Sequence, residues 1–84
     1  MTLAIPTIHL NGTSRESLLQ DLIKALEALT DATDAVQKCS PNARDYYVQG
    51  NEAFPLARSQ HEKRLQALYT IRDELEQIAL AIDA

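Results

Sequence analysis

A chain of 84 residues with 45% hydrophobic and 24% charged residues has the make-up of one small globular domain and is too apolar to be disordered. Only 5% is aromatic, with one Phe, three Tyr and no Trp, and two Gly and three Pro provide too few turns for an all-β fold, so core volume must come from Leu, Ile and Ala in helices. Eight Lys and Arg against 12 Asp and Glu, a net charge of −4, argue against the basic face that general nucleic-acid binding requires.

The single Cys39 has no internal partner for a disulfide, and a reducing compartment is the natural expectation. Residues 1–20 have no basic segment leading into an apolar run, so no secretory signal is expected. No stretch approaches the roughly 20 apolar residues that span a bilayer. These features predict a protein of the cytoplasm without a membrane partner.

Residues 1–12 open the chain as an apolar arm. Leu3, Ile5, Ile8 and Leu10 alternate in extended fashion, and Pro6 interrupts any sheet ladder, which favours an arm lying extended in a groove of its own or a neighbouring subunit over an edge strand. Asn11-Gly12-Thr13-Ser14 is turn chemistry, and Thr13 with Glu16 three residues on predicts a capping box at the start of helix 1, over 13–40. Leu19, Leu22, Leu26, Leu29 and Val36 recur at helical spacing, with Thr33 in the missing turn. Alanines at 25, 28, 32 and 35 widen the stripe beyond what one neighbour covers. Pro41 ends the helix.

Residues 41–53 form a connection of about 13 residues, longer than the two to eight usual between packed helices. It holds two of the three tyrosines. Helix 2 is expected over 54–82, with Asn51 as its cap, Pro55 in its first turn, and Leu65, Leu68, Ile71, Leu75, Ile78 and Ile82 as its seam. The fold class is therefore all-α: an antiparallel two-helix hairpin with an extended arm, forming a single domain. Two helices cannot enclose a core, so the hairpin is expected to complete it as a homo-oligomeric bundle.

Charge is unevenly spread. Residues 41–72 hold five Lys or Arg against three acids, while the remainder holds three against nine. Cations at the start of a helix oppose its dipole, unless an anion sits nearby. The candidate ligand-binding residues are thus Asn42, Arg44, Asp45, Tyr46 and Tyr47 in the loop, with Arg58, His61 and Arg64 on successive turns of helix 2, read as sharing one face. Arg offers a planar fork for phosphate, Tyr a ring for stacking, and Asn and His polar edges. The same residues also admit a structural account, in which the tyrosines plug the open end of the hairpin, Arg44 pairs with Asp45, and His61 belongs to the seam.

Other chemistries have less support. His61-Glu62 begins a helical zinc motif, but position 65 is Leu. His9, His61 and Cys39 are scattered, no Gly-rich phosphate loop exists, and the serines lack a nucleophile's surroundings. Neither an enzyme, a metal site nor a cofactor is expected.

The strings Ile5-Pro6-Thr7-Ile8-His9-Leu10-Asn11-Gly12-Thr13-Ser14, Pro41-Asn42-Ala43-Arg44-Asp45-Tyr46-Tyr47 and His61-Glu62-Lys63-Arg64-Leu65 resemble a group of short proteins encoded by tailed bacteriophages and prophages. The likeness runs over nearly the whole chain, although that group typically has Gly where Ala43 stands. It implies a viral accessory protein in the cytoplasm of an infected bacterium. In size, helix content and pocket chemistry the chain is also similar to phage anti-defence sponges, helical homo-oligomers that sequester cyclic nucleotides or related immune signals without catalysis. On that resemblance the expected partners are a second copy of the chain and a nucleotide-like small molecule. The alternative is a module that blocks a host or phage protein through the arm and the broad stripe of helix 1.

Overall fold

Turn chemistry at residues 11–14 sets the start of the first helix: in a computed structural model, which describes residues 2–83, α1 runs Arg15–Lys38. Ser14 is the cap, with extended backbone angles and a hydroxyl that accepts from the Ser17 amide at 3.1 Å. The expected Thr13–Glu16 capping box is therefore corrected by one residue. Ser is the better cap of the two hydroxyl residues, and the position three beyond it is Ser17, which has no carboxylate to reach back. Glu16 still lies in the first turn, where the dipole favours it.

The last turn of α1 tightens ahead of Pro41. The amides of Cys39 and Ser40 donate to the carbonyls of Val36 and Gln37 at 3.0 and 3.1 Å, and the Ser40 hydroxyl donates to Gln37 at 2.6 Å. Two short 3-10 turns, Ala43–Asp45 and Tyr47–Gln49, fill the connection. Gly50 then takes φ 115°, ψ 170°, a conformation almost confined to glycine. α2 follows as Ala53–Asp83, and the Leu56 amide bonding to the Glu52 carbonyl at 3.2 Å makes Glu52, rather than Asn51, the cap position. Pro55 falls in the first turn, where its missing N–H has no helical partner to lose.

The two helices pack side by side as an all-α hairpin, and no strand forms among the described residues. The arm has no regular structure beyond a turn in which the Gly12 amide donates to the His9 carbonyl at 3.1 Å. Leu3 and Ile8 are half-buried on it, whereas Leu10 is 98% exposed.

Little of this chain is out of water. Among the described residues only Ile82, Thr33 and His61 are buried; the leucines of the seam are half-buried, and Ile71, expected on the seam, is instead 47% exposed. The accessible surface is 6530 Å², against about 5,000 Å² for a compact monomer of this mass. The radius of gyration, 18.4 Å, likewise exceeds the roughly 12 Å of a compact 84-residue domain. Thr33 is tolerated in the seam because its hydroxyl donates to the Leu29 carbonyl at 2.7 Å.

Cap geometry separates two neighbouring hydroxyls. Ser14→Ala is expected to cost about 1 kcal/mol of stability and Thr13→Ala at most a few tenths, as measured by urea unfolding at matched protein concentration.

Candidate functional site

His61 faces α1 from the third turn of α2 and is 7% exposed. Its Nε2 lies 2.8 Å from the Val36 carbonyl, which can only accept, so Nε2 carries the proton and donates. The ring thereby ties α2 to the last turn of α1, as a second donor to a carbonyl that also accepts from the Cys39 amide.

Arg58 and Arg64 lie on either side of this imidazole. Each step of three residues falls short of a full turn, so the two guanidinium-bearing positions are about 120° apart around the helix rather than on one face. The Arg58 guanidinium carbon stands 5.3 Å from the centroid of the Phe54 ring, one turn earlier, as a cation–π contact. Phe54 also meets Tyr46, with ring centroids 6.4 Å apart and planes tilted by 44°. This one aromatic ring thus anchors both the loop and Arg58.

Within the loop, the Asn42 side chain accepts from the Arg44 amide at 3.0 Å and caps the first 3-10 turn. Arg44 and Asp45 are exposed on that turn, and Tyr47 is 72% exposed on the next. Tyr46, half-buried, is the tyrosine that turns inward.

A groove of about 280 Å³ opens between this loop and α2. Ala53, Ala57, Gln60 and Arg64 line it along one stripe of the helix, and Tyr46 and Gln49 close it from the loop. The two alanines leave the space open, Gln49 and Gln60 offer donors and acceptors, and Arg64 supplies the only charge in the lining. Of the eight residues the sequence singles out, the structure brings Tyr46 and Arg64 to this groove. Asn42, Arg44, Asp45, Tyr47, Arg58 and His61 stand outside its lining. Gln49, Gln60 and Phe54 were not anticipated. The Phe54–Arg58 spacing of four residues was the available signal for the last, while the glutamines carry none.

Among the described residues no buried side-chain polar atom lacks a partner, and no three His, Cys, Asp or Glu gather as metal ligands. Among the same residues no helix is long and apolar enough to cross a membrane. No protein-family model, curated protein or solved structure matches the chain.

The clamp reading of His61 has a direct check. His61→Ala is expected to lower the unfolding free energy by about 2 kcal/mol, in urea titrations at fixed protein concentration. Full stability with loss of a bound ligand would instead place the ring in the ligand site.

Proposed function

We propose that this chain is a non-catalytic, self-associating binding protein that sequesters a phosphorylated, ring-bearing small molecule, a cyclic nucleotide or related immune signal, in a phage-infected bacterium. The observation that carries this reading is the lining of the groove: one guanidinium, one phenol ring and two side-chain amides beside Ala53, Ala57, Leu56 and Pro41. An Arg fork suits a phosphate, a phenol ring suits a base, and Gln pairs with polar base edges. The likeness of the chain to short phage proteins supplies the biological setting.

The groove's size narrows the ligand. Enclosed small-molecule sites run from about 300 to 1,000 Å³, and about 280 Å³ receives one ring with one phosphate. A dinucleotide would therefore engage through one half per chain, with Arg64 on its phosphate and Tyr46 beside its base. Arg44 and Arg58, outside the lining, are not needed for that contact.

A second reading, a module that binds and blocks another protein, is favoured by the arm, whose Leu10 is 98% exposed. Capture of one stoichiometric bacterial or phage protein, with no small-molecule uptake, would support it.

Native mass spectrometry with a panel of cyclic di- and trinucleotides and ADP-ribose derivatives tests the first reading. The wild-type oligomer is expected to gain a fixed number of ligands, and Arg64→Ala to lose about tenfold or more in affinity with helix content and mass unchanged. Uptake that survives Arg64→Ala, or no uptake by the wild type, sinks the assignment.

A further inference from the structure

The ligand groove occupies one face of the hairpin, and a different set of residues occupies the other. Arg58, Tyr69 and Leu80 are eleven residues apart, three turns each, and so line a single edge of α2 with little drift. Tyr69 is 39% and Leu80 63% exposed. At the end of the hairpin far from the loop, this edge bounds an apolar groove of about 270 Å³ lined by Leu19, Ile23, Leu26 and Leu80, with Glu76 and Asp83 at its rim.

Charge along α2 is divided to match. On this edge the loop half of α2 carries Arg58 and Glu62, and residues 73–83 carry Asp73, Glu76 and Asp83 with no base, while Lys63 and Arg64 lie on other faces of the helix. A second α2 laid alongside in the same direction puts like charge on like. Laid antiparallel, it brings Arg58 of each copy to the acidic end of the other. The surface the single chain leaves in water is about 1,500 Å² more than a compact monomer of its mass exposes, which exceeds the roughly 800 Å² per partner of a stable interface.

We infer that the hairpin pairs with a second copy of itself through this face, antiparallel and about a two-fold axis near Tyr69, so that Arg58 of each copy lies between Glu76 and Asp83 of the other. Such an isologous contact closes on itself, as a two-fold interface must. It places the Phe54–Arg58 end of one hairpin over the apolar groove of its partner, covering Ile23 and Leu80. The role left to Arg58 is recognition of the partner copy. The inference rests on the self-association within the proposed function and adds its surface and direction. The ligand groove remains open on the opposite face.

A charge exchange tests it. Sedimentation equilibrium on the wild type should show self-association, and Arg58→Glu alone or Glu76→Arg with Asp83→Arg should each raise the self-dissociation constant by about tenfold or more. In either variant like charges meet at both symmetric contacts. Mixing the two variants brings opposite charges together at both contacts, and native mass spectrometry should recover a one-to-one heterodimer at wild-type affinity. Circular dichroism shows whether each variant keeps its helices; if the Arg58 variant does not, Leu80→Glu replaces it in the self-association measurement. A monomeric wild type, or folded variants that associate as the wild type does, or a mixture that fails to pair, each overturns the inference. Ligand uptake at Arg64 is scored separately, so an oligomer that ignores the exchange but still takes up nucleotide removes this pairing alone.

Discussion

The imidazole of His61 reaches the Val36 carbonyl at 2.8 Å, and this contact decides where the two helices meet. The Val36 carbonyl already accepts from the Cys39 amide at 3.0 Å, and the imidazole adds a second donor that comes from α2. Once the third turn of α2 is held against the last turn of α1, the intervening chain must travel out and back over a short distance. The 3-10 turns and the glycine-only conformation at Gly50 are the way it does so. Tyr46 is carried onto Phe54 by that path, and the groove beside Arg64 is the space left under it.

The seam itself divides in two. Toward the termini it is aliphatic, with Leu19, Leu22, Leu26, Leu75 and Ile82, and holds by area alone. Toward the loop, Val36, Leu65 and Leu68 are joined by polar groups: Thr33 bonded to its own helix, Gln37 donating to the Tyr69 hydroxyl at 2.8 Å, then His61. Of these, the Gln37–Tyr69 and His61–Val36 bonds cross between the helices, and a shifted register would break both. A pure leucine seam would slide more readily than this one.

Much of this was legible in the sequence. Leucines at three and four, Pro41 and the turn at 11–14 define an all-α hairpin, and Thr33 was correctly placed on the seam, because helical period acts over many residues and averages out local exceptions. The site was less legible, for reasons specific to each residue. Which of two adjacent hydroxyls caps α1, and which of two adjacent tyrosines turns inward, depend on single backbone angles that composition does not encode. Treating Arg58, His61 and Arg64 as one face ignored the shortfall of three residues against 3.6 per turn, and accumulated over two steps it moves the arginines to opposite sides of the buried ring.

That separation bears on how the proposed ligand groove and the proposed pairing surface share one helix. A helix stripe buried against its neighbour leaves two flanks, and each flank of α2 carries one of the two arginines. Arg64 lines a recess with Ala53, Ala57, two glutamines and Tyr46, whereas Arg58 shares its flank with Phe54 and the exposed Tyr69 and Leu80. Recess and surface make opposite demands on side-chain volume, since one must stay open to solvent and the other must be sealed from it. On a hairpin with no third helix, dividing them between the flanks lets the wide surface be covered without closing the recess. The small core, which makes the single chain expose so much, is then the condition that keeps both flanks available.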